Sequence, residues 1–373
     1  MCGSAEHKCN PYDVVSDIVR HKLLLLISVK PQDIHSISRE LKLSVEEVTK
    51  HIRELQRCGL IIEENSLYKP AFAIFTRKDL KKLQPIISRL VTIIIECVKE
   101  YIDHVHQVIN KLTVVKRGLA FPYIDYIVVG AETLDYKGLD ILSREGLLIA
   151  SKKMPGGLYV FTGFEAGTLN MPEQWMWGHN SIYGKYLFST HGKLPLNKLR
   201  AAFPDLAWMW VGLGLNPDEV TARMIEIGNI LATLLERDIR FVDLQETLKI
   251  SVANLTHELA LLYSLRYVDL VNKLLRLNTP ILNRNDHEEI QAISEKLVML
   301  IARRFRENFC NVKEYYRETL PAKNNVPVEE AFNPIYHVVF AGALDIMMND
   351  EIIHKPPLRP DGANYAAYVV VTE

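Results

Sequence analysis

Cysteine is scarce in this chain, and positive charge is not in excess. Five cysteines in 373 residues, an odd number at irregular spacing, predict no disulfide framework and agree with a reducing cytoplasm. Cys2, His7 and Cys9 resemble half of a zinc site, but the second ligand pair is missing and a frayed terminus is the expectation. Long apolar runs are missing too. Residues 23–27 are too few and too close to charges for a signal peptide or membrane span, so no membrane association is expected. There is no phosphate-binding glycine loop, no GxSxG, no HExxH and no paired CxxC, and MPGGLYV is a turn. The chain is therefore not expected to be an enzyme, and neither a cofactor nor a metal is expected. Lys and Arg number 44 against 45 Asp and Glu, for a net charge of −1. Many DNA-binding domains are clearly basic, so any DNA contact here must come from local patches.

What is present is one pattern that occurs twice. In residues 34–73, Ile34, Ile37 and Leu41 keep helical spacing, and Lys42 and Leu43 make a turn. Ser44 and Glu47 form a capping box for a second helix whose apolar face is Val45, Val48, Ile52 and Leu55, and Gly59 stops it. Two alternating strands follow, with residues 63–66 as the tip of a hairpin. Shifted by 207 positions (251 − 44), the pattern returns. Leu41, Lys42, Ser44, Val45, Thr49 and Leu55 meet Leu248, Lys249, Ser251, Val252, Thr256 and Leu262, and Asn65, Ile74, Arg77 and Asp79 meet Asn272, Ile281, Arg284 and Asp286. After a small slip, YIVVGAETLD resembles YHVVFAGALD. Several segments matching in the same order imply an internal duplication.

Each copy resembles the winged helix-turn-helix domains of archaeal and bacterial transcription regulators, in the broad ArsR/MarR-like group. The resemblance implies a mainly α fold with small β-wings (α+β). It also implies two tandem repeats whose long helices pair to form an intramolecular pseudo-dimer. The expected divisions are a first winged helix at 11–77, a long helix and tail at 78–162, an insertion at 163–214, a second winged helix at 215–284, and its helix and tail at 285–373. A wide apolar stripe runs through 78–113 and again through 286–318. Residues 123–142 and 332–348 are expected to be helices. The strands at 158–162 and 365–371 are expected to pair with each other.

The resemblance implies double-stranded DNA as partner, with recognition helices in the major groove and wings on the backbone. In the first copy the candidate contacts are Ser44, Lys50, His51, Arg53 and, on the wing, Lys69. Arg and Lys suit phosphates and base edges, whereas Glu46 and Glu47 favour the helix dipole but have the wrong sign for DNA. In the second copy they are Ser251, Asn254, Thr256 and His257, with Lys273 and Arg276 on the wing. That helix has no Lys or Arg, and Glu258 is expected on its exposed face.

The insertion holds all four tryptophans. Trp175, Trp177, His179, Tyr183 and Tyr186 are a candidate ligand or partner surface, because large amphipathic rings suit pockets and interfaces. Asp103, His104 and His106 do not share a helix face, which argues against a metal site. The reading is a cytoplasmic DNA-binding transcription regulator, as a monomeric pseudo-dimer or a homodimer. The alternatives are a winged-helix module that binds protein without DNA specificity, and a one-component regulator sensing a small-molecule effector.

Overall fold

The computed structural model describes residues 2–5, 9–165, 174–195, 203–359 and 362–373. The fold is mixed α and β, mostly helical with small sheets. In chain order its first part is β1 (Cys2–Ala5), α1 (Pro11–Val14), α2 (Ile18–Val29), α3 (Ile34–Leu41), α4 (Val45–Arg57), β2 (Ile61–Glu64), β3 (Leu67–Pro70), β4 (Ala73–Phe75), α5 (Arg77–Ile109) and α6 (Thr113–Lys116). Then come α7 (Ile124–Tyr126), a π-helix (Ile127–Lys137), α8 (Gly138–Arg144), β5 (Lys152–Met154), β6 (Gly157–Val160) and β7 (Thr162–Phe164). The rest is β8 (Gln174–Tyr183), β9 (Tyr186–Pro195), α9 (Phe203–Gly212), α10 (Pro217–Glu236), α11 (Phe241–Leu248), α12 (Val252–Ser264), β10 (Val268–Val271), β11 (Leu274–Leu277), β12 (Ile281–Leu282), α13 (Arg284–Arg317), α14 (Leu320–Lys323), α15 (Val328–Asn349) and β13 (Asn364–Val371).

Two compact units share the chain. One comprises 1–94, 138–171 and 299–343; the other comprises 95–137, 172–298 and 344–373. Each long helix, α5 and α13, therefore contributes residues to both units.

In the first unit, α3 and α4 form because their caps and apolar spacing agree. Asp33 accepts the amides of His35 and Ser36, and Ser44 with Glu47 completes a capping box. Ile37, Val48, Ile52 and Leu55 are buried against Leu23, Leu24 and Ile27 of α2 and against Ile61, Phe72 and Ile74. Asn65 and Ser66 take left-handed φ at the tip of the β2–β3 hairpin, as a tight two-residue turn requires. β4 pairs in parallel with β7, and the order β1-β6-β5 makes a second small sheet.

In the second unit the same events recur 207 residues later. α11 and α12 start and stop at the shifted positions of α3 and α4. Lys42 and Lys249 are both left-handed, as are Gly59 and Arg266, and Asn272 and Lys273 repeat the hairpin tip. The isolated bridge Gln32–Tyr68 has its counterpart in Ile239–Leu275. The sheet here has the order β12-β13-β9-β8.

Several expectations are corrected. The N-terminal segment is not frayed at Cys2–Ala5, which pair antiparallel with β6, and Cys9 is buried and bonded to Cys58. The bond forms because the fold brings the two Cα atoms to 5.3 Å, although 49 residues separate them. The strand at 365–371 does not pair with the one at 158–162. β13 pairs with β9 of the insertion, and β6 pairs with β1 and β5. The helical stretch 123–142 is a π-helix over its middle eleven residues. α15 is long and apolar enough to cross a membrane by composition, and 61% of its most apolar window is buried inside the fold.

Candidate nucleic-acid interface

Helix α4 presents Lys50 and Arg53 to solvent. Lys50 makes only a long, exposed ion pair with Glu46 at 3.7 Å. Such a pair contributes little and leaves the cation available. No ion pair engages Arg53 among the described residues. The other first-copy candidates are occupied. The Ser44 hydroxyl accepts the Glu47 amide at 3.2 Å and donates to the Glu47 carboxylate at 2.7 Å. The hydroxyl's bond first, and then the Ser44 amide donating to the same carboxylate at 2.9 Å, hold the Glu47 carboxyl below its ordinary range. His51 turns toward α2: its Nδ1 accepts from Arg20 Nε at 3.4 Å and lies 3.7 Å from Asp17. Lys69 is buried and paired with Glu64, so it is not a surface cation. The hairpin tip beside it is acidic, with Glu63 and Glu64 exposed.

The second copy differs. Asn254 and His257 are exposed on α12, and the Thr256 hydroxyl donates back to the Val252 carbonyl at 2.7 Å. Ser251 caps the helix by accepting the Asn254 amide at 3.1 Å. Glu258 is fully buried rather than exposed, because Arg223 of α10 reaches it at 2.5 Å. At the hairpin, Lys273 is exposed at the tip, while Arg276 is tied to Asp238 at 2.7 Å. The surface of α12 is thus uncharged, with Val252 and Tyr263 more than half exposed.

The side chains of Trp175, Trp177 and Trp208 lie outside the described residues. His179 is half-buried with Nε2 3.0 Å from the Ser181 hydroxyl, and burial pushes its pKa down. Tyr186 packs inward on Gly228 of α10, where an added Cβ would collide with the ring, and its hydroxyl donates to Asn229 at 2.6 Å. It is therefore a core residue. In the first unit, a cleft of about 640 Å³ is lined by Lys82, Ile86 and Arg89 of α5 and by Glu314, Tyr315 and Glu318 of α13. Its size suits a small molecule, but its two cations face two carboxylates and select no ligand charge.

A buried polar network in the second unit was missed in the sequence. The π-helix carries Glu132 and Asp135 inward, both almost fully buried. Glu132 accepts from the Tyr368 hydroxyl at 2.5 Å and from Gln291 Nε2 at 2.7 Å, and His287 Nε2 lies 3.2 Å away. Asp135 lies 3.3 Å from His191 Nε2, whose Nδ1 is 2.8 Å from the Tyr126 hydroxyl. The Tyr136 hydroxyl lies 3.0 Å from the Ser189 hydroxyl. Two carboxylates in the largely apolar stretch 127–137 were the available signal. A π-helix is rare and often marks a functional position.

Burial, above all, pushes the hydroxyls of Tyr126, Tyr136 and Tyr368 well above the ordinary tyrosine pKa, with Asp135 or Glu132 adding to it. Their neutral forms are favoured by folding. The stability this contributes is fully present below about pH 10 and is lost as pH rises beyond it. Denaturant titrations between about pH 9 and about pH 11 should show a falling unfolding free energy, with a shallower fall in Tyr136→Phe. An equal slope in that variant would exclude Tyr136 as a contributor.

No protein-family model, no curated protein and no solved structure matches the chain.

Proposed function

We propose that the chain is a DNA-binding transcription regulator: a tandem winged-helix duplication acting as an intramolecular pseudo-dimer. The observation that carries this reading is the 207-residue recurrence of the helix–turn–helix–hairpin geometry, including its left-handed positions. The shape suits a helix laid in the major groove with a hairpin beside it.

The two halves are unequal. Lys50 and Arg53 make α4 the reading helix, and the acidic first wing restricts phosphate contact to the helix. Changing both to alanine should weaken specific duplex binding at least about tenfold, since one good base or phosphate contact contributes about 1–3 kcal/mol. Fluorescence anisotropy on selected genomic fragments across a salt series provides the check. The salt slope should be shallow, because few cations release counterions. Unchanged affinity in Lys50→Ala/Arg53→Ala would remove α4 as the reader.

One observation favours a second reading, a protein-binding module. The face of α12 has no cation, and Val252 and Tyr263 are joined by exposed Val242 and Leu270 on neighbouring elements. Apolar side chains without charge suit a protein surface better than a phosphate backbone. Stoichiometric co-purification of one protein, together with no duplex affinity at low salt, would favour this reading over the first.

A further inference from the structure

Cys58 is the C-cap residue of α4, and Cys9 follows the strand that pairs with β6. Their disulfide fastens the end of the candidate reading helix to the N-terminal segment. The surroundings hold Cys9 in place. The Tyr159 hydroxyl donates to its carbonyl at 3.4 Å, and Gly156 lies so close that a Cβ there would collide with it. Arg57, the last residue of α4, points Nη1 at Cys9 Sγ from 3.4 Å and also pairs with Glu54 at 2.6 Å. The shifted position of Cys58 in the second copy is Leu265, so α12 has no such fastening.

We propose that Cys9–Cys58 is a thiol–disulfide switch that clamps the C-terminal turn of α4, and that it acts on one half of the pseudo-dimer only. The co-reactant is a dithiol reductant. Cys58 is fully buried with the clamp closed, so the last turn of α4 opens locally before the reductant's thiolate attacks Cys58 Sγ and the S–S bond breaks. Cys9 departs as a thiolate beside the Arg57 guanidinium, a setting that favours negative sulfur. The second thiol of the reductant then attacks the mixed disulfide and releases Cys58. Two electrons pass to the protein pair, the reductant becomes a disulfide, and both cysteines end as thiols.

With the clamp closed, the last turn of α4 and the β1–β6 pairing are held together. With it open, that turn is free to fray. The clamp rests on geometry alone, whereas its effect on DNA rests on the reading proposed above.

The test uses the full chain in two states, oxidised and treated with dithiothreitol. Alkylation under denaturing conditions, read by peptide mass, reports the pair directly; the exposed thiol of Cys310 serves as an internal control. Hydrogen exchange across 45–60 reports the helix, and duplex affinity reports function. The expected result is a Cys9–Cys58 peptide pair that reduction opens, with exchange at the end of α4 rising about tenfold. Duplex affinity should fall in parallel, and Cys9→Ala should show the opened behaviour with or without reductant. Free alkylation of both cysteines in the oxidised chain would overturn the proposal. So would exchange in α4 that is identical in the two states. Exchange that responds to reduction while neither state binds DNA would support the clamp and reject the DNA reading.

Discussion

Replacing Glu132 by alanine is expected to lower the unfolding free energy by about 3–5 kcal/mol, from two orphaned buried polar groups and the vacated side-chain volume. Glu132 is 1% exposed, and its two oxygens hold groups from two other elements. Tyr368 donates from β13, and Gln291 donates from α13. Alanine leaves the Tyr368 hydroxyl and the Gln291 amide without their acceptor in a site water does not reach. Each orphaned polar group costs about 1–3 kcal/mol, and the vacated side-chain volume adds to this. Glu132→Gln keeps the size and one acceptor oxygen, so its loss should be about half as large. Urea unfolding of the two variants separates the effects. A loss below about 1 kcal/mol in Glu132→Ala would mean that water satisfies the network in solution.

Local rules carried the recurring part of the fold. Ser44 with Glu47, the apolar spacing of Val48, Ile52 and Leu55, and the glycine at 59 locate α4 without any long-range knowledge. The repeat locates α12 in the same way, and Lys50 and Arg53 are exposed because they lie opposite that apolar stripe.

The misjudged residues depend on partners distant in sequence. Glu258 is buried because Arg223 comes from α10, and His51 faces Arg20 of α2. Cys9 and Cys58 lie 49 residues apart in sequence and meet only in the folded unit. Lys69 is buried on the hairpin although its partner, Glu64 on the adjacent strand, stays exposed. An apolar run such as 127–137 reads alike for an α-helix and a π-helix, so the inward placement of Glu132 and Asp135 could not be read from periodicity. Strand partners failed for the same reason. A continuous run of aromatic, small and β-branched residues identifies β13 as a buried strand, but nothing in those residues names β9 as its neighbour.

Alanine at Asp79 should cost about 2–4 kcal/mol, and alanine at Asp286 a similar or slightly smaller amount. Both carboxylates sit in the first turn of a long helix and are buried. Asp79 Oδ2 accepts the Thr76 amide at 2.8 Å and its hydroxyl at 2.7 Å, while Oδ1 accepts the Leu320 amide at 2.9 Å. Asp286 Oδ2 accepts the Asn283 amide at 3.2 Å, and Oδ1 accepts the amide of Thr113 at 3.0 Å and its hydroxyl at 3.1 Å. In each unit one carboxylate therefore caps its own long helix and also the short helix that follows the other long one. Two positive helix ends converge on it, which favours the charge. Removing it orphans buried amides at both ends. At the second site Asn283 Nδ2 still donates to the Thr113 hydroxyl at 2.7 Å, so part of the junction survives. Asp79→Asn and Asp286→Asn keep one acceptor and should recover part of the loss. Denaturant unfolding of the four single variants gives the comparison. Comparable losses at the two positions are what a duplicated junction requires. A large loss at one and none at the other would mean that only one carboxylate is structural, and the likeness of the two halves would then stop at the helix–turn–helix.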